Sequence, residues 1–274
     1  MFKIKKYIPD IVVAIILIAG IGLLAYPTIG DYINALHSSK AIGSYVEKTK
    51  DLSKEEKENL LREAREYNES LVGKVNRYYL NEEEKKRYAH ILDITKTGIM
   101  AYVEIPKLNI YMPVYHGTDE GVLQIAAGHL PGSSLPVGGE NTHSLISGHR
   151  GLPSAKLFTD IDKLKKGDLF FIHVFDEVLA YKVNQIKIVL PDDVETLEIE
   201  KGKDYVTLIT CTPYGVNSHR LLVRGERTVY KQSESKIEDM IKKNNLKYIM
   251  LTAGVILALI GMTVLVSVFL IKRR

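Results

Sequence analysis

The single cysteine of the chain, Cys211, stands where a nucleophile is both firmly held and reachable. It follows the strand-like run 205–210 and precedes Thr-Pro-Tyr-Gly, a turn-forming sequence. A thiol reacts as the thiolate, so it requires a neighbouring base or positive charge. The alternative interpretation is a small buried hydrophobic residue, since unpaired cysteines are often buried. One cysteine also excludes an intramolecular disulfide.

Histidines are the first candidates for a partner, and the chain has eight. His149 lies in SLISGHRGLP, where an apolar run ends and a loop begins, which is also a strand-end position. His219 begins the run HRLLVRGER, His129 precedes Leu-Pro-Gly, and His143 opens a strand-like run. A lone histidine on a strand is more often structural than catalytic, so position alone selects none of them.

Other kinds of site lack their sequence patterns. The chain has no H-E-x-x-H or C-x-x-C, no P-loop, no G-x-G-x-x-G after a strand and no G-x-S-x-G elbow. The net charge of +4 is modest, and no Lys/Arg cluster is interleaved with aromatic residues. We therefore expect no metal, no cofactor and no nucleic-acid partner, and a thiol mechanism is what remains.

The elements that must position these residues are predominantly β. From Gly98 onward, short runs rich in Val, Ile, Tyr and Leu alternate with Gly, Pro and Asn. Many short strands with little helix between them predict a closed barrel or a sandwich. The predicted strand-like runs are 99–105, 109–115, 143–148, 169–175, 178–189, 205–211 and 220–230.

A polar, helix-prone region precedes the strands. Ser53 and Glu56 form a capping-box pattern at the head of one helix. Its apolar face recurs at steps of three or four, which is helical spacing. That face comprises Leu60, Leu61, Ala64, Tyr67 and Leu71. A second helix is predicted near 81–92, and neither helix has obvious catalytic content.

Both ends of the chain are strongly apolar. Residues 8–26 carry one charge, Asp10, and residues 248–271 carry none, so both approach the length of a membrane span. The first segment fits an uncleaved anchor better than a signal peptide, because no convincing small-residue cleavage site follows it. Lysines and arginines at both extreme ends favour cytoplasmic termini and place the middle of the chain outside the cell.

Three segments resemble the motifs of one enzyme family. Residues 207–211, TLITC, resemble the T-L-x-T-C signature of sortases, the cysteine transpeptidases of Gram-positive cell surfaces. Residues 147–151, SGHRG, and 219–225, HRLLVRG, resemble the sortase histidine loop and arginine strand in the same order and spacing. The stretch 128–168 and the pair of apolar ends are similar to the pilus-assembling class C branch.

The resemblance implies a fold, a site and an activity. It implies a sortase-type β-barrel with short helices, preceded by a helical region and flanked by two transmembrane helices. It assigns His149, Cys211 and Arg220 to catalysis; the spacing alone leaves Arg224 open, since both arginines share one strand face. Further expected substrate-binding residues are Ser133, Ser134, Gly148 and Thr210.

The implied reaction cleaves an LPxTG-like sorting signal at Thr-Gly and joins the acyl group to a pilin lysine. The alternatives are anchoring to a cell-wall amine, hydrolysis by a secreted cysteine peptidase, and a membrane-tethered scaffold without catalysis. The expected divisions are 1–30 (cytoplasmic start and anchor), 31–97 (helical), 98–230 (catalytic barrel), 231–247 (linker) and 248–274 (second anchor and basic tail).

One family feature is missing. Class C sortases usually carry a lid with an Asp-Pro-aromatic tripeptide over the cysteine, but no proline occurs between Pro27 and Pro106. A helical segment from 70 to 95 could still lie over the site, with Tyr78, Tyr79 or Tyr88 as the plug. A solvated helix is the alternative interpretation of this segment.

Overall fold

The structure is a computed structural model that describes residues 8–230 and the isolated residues 250, 253, 254 and 261. The chain divides into two compact units, one of residues 33–230 and one of residues 1–32 with 231–274. The predicted linker, 231–247, and all of the predicted second span except those isolated residues lie outside the described part.

One long helix, α1 (Ile8–Asp51), begins the described chain and continues through Pro27. Within it, Ile15–Asp51 is long and apolar enough to cross a membrane, by length and composition, and it is the one such helix among the described residues. The predicted anchor and the start of the helical region are therefore one continuous helix. Near its end, Tyr45 is fully buried and its hydroxyl donates to the carbonyl of Met100.

Two shorter helices follow, as predicted. In α2 (Lys54–Leu71), Ser53 and Glu56 form both hydrogen bonds of a capping box. The predicted apolar face is confirmed, with Leu61, Ala64, Tyr67 and Leu71 buried and Leu60 partly buried. In α3 (Glu82–His90), Asn81 and Glu84 form a second capping box. Residues 72–80 between these helices are turns and irregular structure.

Eight strands close into a barrel, which confirms the β-barrel of the predicted fold. In spatial order they are β1-β2-β3-β4-β7-β8-β6-β5. Their bounds are β1 (Ile99–Ile105), β2 (Ile110–His116), β3 (Ala127–His129), β4 (Thr142–Ser147), β5 (Leu169–Val174), β6 (Glu177–Val189), β7 (Asp204–Thr212) and β8 (His219–Arg227). Short 3-10 helices cover Pro106–Leu108, Ile161–Lys163 and Glu195–Leu197.

One short strand and one short α-helix were not predicted from the sequence. Strand β3 has three residues, and its central Gly128 is so close to the carbonyl of Gly117 that a Cβ would lie 2.2 Å from that oxygen. A helix of four residues, α4 (Glu120–Leu123), precedes it. Both are too short to show a hydrophobic period.

Three neighbouring strands determine the arrangement of the site. Strand β7 runs parallel to β4 on one side and antiparallel to β8 on the other. Val206 and Leu208 of β7 belong to the main core, whereas Ile209 belongs to a separate apolar cluster. Because side chains alternate along a strand, Cys211 shares the outer face of the barrel with Ile209.

Candidate active site

Cys211 and Arg220 are direct partners across β7 and β8. Residues directly opposite on antiparallel strands project from the same face, with Cβ atoms about 4.5–5.5 Å apart. Cys211 is partly exposed and unpaired. The guanidinium of Arg220 donates to the carbonyl oxygens of Asn217 and His219, at 3.3 and 3.2 Å. A reachable thiol therefore has a permanently charged arginine as its direct cross-strand neighbour.

The structure distinguishes the two arginines that the spacing left open. Arg224 lies opposite Thr207, its guanidinium is 4.0 Å from the ring centre of Tyr205, and its side chain is bonded to Asn184 and Glu200. Within residues 8–230, Arg220 has no carboxylate within ion-pair distance. Arg220 thus keeps its charge for the site, whereas Arg224 is engaged by its neighbours.

His149 reaches the same level of the sheet from β4. The last register pair of β4 and β7 is Ser147 with Ile209, so His149 and Cys211 each lie two residues beyond it. Two hydrogen bonds continue the pairing beyond the strand end: Gly148 donates its N–H to the carbonyl of Ile209, at 3.0 Å, and Thr210 donates its hydroxyl to the carbonyl of Gly148, at 2.7 Å.

Gly148 and Thr210 therefore join the two strands that carry the thiol and the imidazole. Thr210 is buried, with its hydroxyl bonded to backbone. A side chain at position 148 would lie 2.6 Å from the ring of Phe158. This geometry does not favour their predicted role in substrate binding. The hydroxyl of Thr210 is buried and bonded to backbone, and Gly148 is covered by Phe158, so both residues hold the loop in place.

Glu120 is a site residue that the sequence analysis missed. Its two carboxylate oxygens lie 3.4 and 3.3 Å from Nε2 of His149. A hydrogen bond from Gln124 and the contact with His149 lower the pKa of Glu120. No spacing rule connects residues so far apart in sequence, and the short helix α4 that bears Glu120 has no periodic signal.

An apolar cluster on the outer face of the barrel adjoins the site, and we call it the outer cluster. It consists of Leu145, Leu197, Ile209 and Leu222, with the partly buried Tyr78, Leu130 and Val189 packed against it. Ile209 is the residue two positions before Cys211 on the same strand face. An apolar surface therefore leads along the sheet to the thiol, and Tyr78 covers part of it.

Arg77 fixes the segment that carries Tyr78. Its side chain is 5 % exposed and donates at 2.7 Å to both the carbonyl of Leu197 and the hydroxyl of Tyr78. It also pairs with the carboxylate of Glu198 at 3.3 Å. Gly132 packs against the backbone of Arg77. Its φ is +83°, and a Cβ there would lie 2.1 Å from the carbonyl oxygen of Arg77, so the close approach requires glycine.

The other two tyrosines proposed as plugs lie elsewhere. Tyr79 is 85 % exposed. Tyr88 is buried, and its hydroxyl lies 3.0 Å from Nδ1 of His129 and donates to the carbonyl of the same residue. This geometry does not favour Tyr88 as a plug, because its ring is part of the packing beneath α3. The part of 70–95 that meets the outer cluster is irregular rather than helical.

The geometry does not favour the predicted role of Ser133 and Ser134 in substrate binding. Both are fully buried. The hydroxyl of Ser133 donates to Leu130 and accepts from the N–H of Leu145, and the hydroxyl of Ser134 accepts from the N–H of His143. Both hydroxyls thus satisfy backbone groups of β4 or of the loop before it, which favours a structural role.

His129 and His143 are structural histidines. Burial lowers the pKa of His129 to about 3 and that of His143 to about 4. His143 bridges β7 and the β6–β7 loop, with Nε2 2.7 Å from the hydroxyl of Thr207 and Nδ1 2.9 Å from the carbonyl oxygen of Glu198. Both imidazoles are neutral at physiological pH and are hydrogen-bonded within the fold, which favours a structural role.

Comparison with solved structures finds the same fold. Sortase C1 from Streptococcus agalactiae is 49 % identical, with a TM-score of 0.68, over 70 % of this chain and all of that one. Sortase C from Streptococcus pneumoniae is 47 % identical, with a TM-score of 0.64, over 71 % of this chain and 99 % of that one. Both are class C sortases.

Sequence comparison agrees. The family model of the sortase domain matches residues 103–228. Sortase A from Bacillus anthracis is 31 % identical over 48 % of this chain and 61 % of that protein. The chain thus spans about three fifths of the length of the curated relatives that it matches.

Proposed function

Because the chain belongs to the sortase family, whose members are cysteine transpeptidases, we propose that it cleaves an LPxTG-like sorting signal between Thr and Gly and transfers the acyl group to an amine. The observation that carries the proposal is the direct pairing of Cys211 with Arg220 on the outer face of the barrel. A scaffold without catalysis would not require a reachable thiol beside an arginine that lacks a carboxylate partner within residues 8–230.

The first half-reaction forms a thioester. The thiolate of Cys211 attacks the threonine carbonyl, and Arg220 donates to the oxyanion that develops or holds the substrate backbone. The C–N bond to glycine then breaks, and the imidazolium of His149 gives its proton to the departing amine. The products are the acyl-enzyme and a peptide with a free N-terminal glycine.

The second half-reaction transfers the acyl group. A lysine amine of a pilin subunit attacks the thioester and gives a proton to the neutral imidazole of His149. The isopeptide bond forms, the C–S bond breaks, and the thiolate of Cys211 is released. A pilin is favoured as acceptor because the similar solved structures are class C sortases, and the Streptococcus pneumoniae enzyme is described in terms of pilin substrate specificity. The alternative acceptor is the amine of a cell-wall cross-bridge, which uses the same thioester.

Membrane attachment fits this role. Helix α1 provides one apolar helix long enough to cross the membrane. Its large side chains are exposed over much of the first half of the helix, as a lipid environment allows. We place the barrel on the extracellular face, with both termini in the cytoplasm and the apolar segment 248–271 as a second anchor.

Residues 72–80 serve as the lid of the site. Tyr78 packs on the outer cluster, where an apolar residue of a sorting signal would lie next to Cys211. Arg77 anchors the segment to the β6–β7 loop through Leu197 and Glu198. The pair Arg77-Tyr78 thus takes the place of the missing Asp-Pro-aromatic tripeptide.

Product analysis of an LPxTG peptide tests the proposal. The whole chain in detergent micelles is incubated with the peptide, with and without a lysine-containing acceptor peptide or free hydroxylamine. We expect release of the glycine-bearing fragment and an acyl product whose yield rises with amine concentration. Product formation indifferent to amine supports hydrolysis instead, and absence of cleavage with Cys211 intact supports the scaffold.

A further inference from the structure

We propose that Glu120 is a positioning residue for the reaction, which fixes His149 with Nε2 protonated and leaves Nδ1 as the nitrogen that exchanges protons with the substrate. The claim that Nδ1 exchanges protons with the substrate rests on the proposed function. The claim that Glu120 keeps Nε2 protonated concerns the imidazole alone. The geometry that carries it is the contact of both carboxylate oxygens of Glu120 with one ring nitrogen of His149.

The donor and acceptor roles follow from chemistry. An ionised carboxylate only accepts hydrogen bonds, so a hydrogen bond between Glu120 and Nε2 requires a proton on that nitrogen. The pKa of Glu120 is lowered, which keeps it ionised around neutral pH. In the neutral imidazole Nδ1 is then unprotonated, and in the imidazolium both nitrogens carry protons.

The location of Glu120 suits this role. It is the first residue of α4, and the amide of Gln124 donates to its Oε1, which restricts the side chain. The segment bearing α4 connects β2 to β3, whereas His149 follows β4, so the contact joins two loops at one rim of the barrel. The carboxylate is 69 % exposed, and its effect is therefore moderate.

The proposed proton path balances. In the first half-reaction the proton on Nδ1 passes to the departing glycine amine. His149 becomes neutral, and its other proton stays on Nε2, hydrogen-bonded to the carboxylate of Glu120. In the second half-reaction Nδ1 takes a proton from the attacking amine as the isopeptide bond forms. No proton needs to leave through Nε2, and no further reactant is required.

Other charged or titratable residues lie on the elements next to His149. Arg150 follows His149 and is paired with Asp162, and Cys211 and Arg220 lie on β7 and β8. Asp119 precedes Glu120 on its own segment and makes no side-chain cap to α4.

The test compares Glu120→Gln with Asp119→Asn in the whole chain in micelles. Both remove one negative charge at the same rim, but only the first removes the contact with His149. Glutamine can donate or accept, so it no longer selects one protonated nitrogen. Glu120→Asp, which keeps the charge on a shorter side chain, serves as the partial rescue.

Two readouts are measured. The ring ¹⁵N shifts of His149, above the pH at which the imidazole loses its charge, report the protonated nitrogen. We expect the Nε2–H form in the parent and in Asp119→Asn, and a mixture in Glu120→Gln. In transpeptidation, we expect Glu120→Gln to lower kcat about five-fold, the order that an exposed ion pair supplies, with KM little changed and the alkaline limb of kcat/KM moved to lower pH.

The outcomes separate the two proposals. Unchanged ¹⁵N shifts and an unchanged pH profile in Glu120→Gln overturn the role of Glu120 while transpeptidation stands. Equal effects of Glu120→Gln and Asp119→Asn also overturn it, because the contact would then be irrelevant. If the chain does not catalyse transpeptidation, the ¹⁵N shifts alone decide whether Glu120 fixes the imidazole.

Discussion

Cys211 faces Arg220 directly across the antiparallel pair of β7 and β8. This pairing gives the lone thiol an electrostatic partner that the sequence alone could only infer from a motif. Arg224, four residues later on the same strand face, is instead bonded to Asn184 and Glu200 and stacked on Tyr205. The two arginines thus have different surroundings, although they lie on the same face of one strand.

Substitution of the two arginines should separate catalysis from stability. Arg220→Ala is expected to lower kcat/KM about 100-fold or more, the loss typical of removing an oxyanion donor, while the melting temperature stays close to that of the parent. Arg224→Ala should lower the melting temperature and keep most of the activity. Steady-state kinetics and thermal denaturation check both. The reverse pattern would mean that Arg224 serves the site.

Removing the ring that covers the outer cluster should speed entry of the substrate. In Tyr78→Ala, the surface formed by Leu145, Ile209 and Leu222 becomes accessible, and kcat/KM for a short LPxTG peptide is expected to rise several-fold. Tyr79→Ala is the matched control, because Tyr79 is 85 % exposed and touches none of this surface. A lower or unchanged rate in Tyr78→Ala would contradict a lid at 72–80.

The hydrogen bond from Thr210 to Gly148 should matter more for catalysis than for folding. Thr210→Val removes the donor and is expected to cost about 1 kcal/mol of unfolding free energy. Thr142→Val removes a similar bond, to Gly139, from the other end of β4 and should cost about the same. Only Thr210→Val is expected to lower kcat, since only that bond holds the histidine loop. Equal kcat in both variants would show that the bond is structural alone.

The buried histidines predict a sensitivity to acid. His129 and His143 have pKa values of about 3 and 4, below the ordinary 6.5, because burial disfavours the charged form. Between about pH 4 and 6.5 the unfolded chain therefore binds protons that the folded chain does not, so stability falls as the pH falls. Each histidine contributes about 1.4 kcal/mol per pH unit well within this window.

Urea unfolding at a series of pH values measures that slope. His143→Asn should be less stable at pH 7 and show a slope smaller by one proton. His90→Asn, at an exposed position, should retain the slope of the parent. Stability that is constant from pH 6.5 to 4.5 would show that these histidines become charged without unfolding.

Sequence periodicity predicted the regular part of this molecule well. The capping box at Ser53, and the strands with runs of apolar residues, depend on local interactions that spacing reveals, whereas the capping box at Asn81 was not predicted. Strand β3 was not predicted, because three residues show no periodicity and their pairing with β2 and β4 depends on tertiary contacts. The unbroken α1 was also not predicted, since Pro27 does not interrupt it.

Site residues that belong to a sequence motif could be predicted, whereas residues that meet only because distant segments fold together could not. His149, Cys211 and Arg220 were predicted through the resemblance to sortases, and the structure places them at the ends of neighbouring strands, at one level of the sheet. Ser133 and Ser134 were predicted to bind substrate, but both are buried and their hydroxyls are hydrogen-bonded to backbone groups. Glu120 and Arg77 were missed, because their partners His149 and Glu198 lie far away in sequence and come close only in the folded chain.

Trapping of the acyl-enzyme tests the central claim most directly. The whole chain is mixed with an LPxTG-like peptide without added amine, and the intact protein and its peptides are weighed by mass spectrometry. We predict an adduct with the mass of the fragment ending in threonine, bound to Cys211 and released by hydroxylamine, with no such adduct in Cys211→Ala. An adduct of the same mass in Cys211→Ala, or cleavage of the peptide by that variant, would contradict Cys211 as the nucleophile.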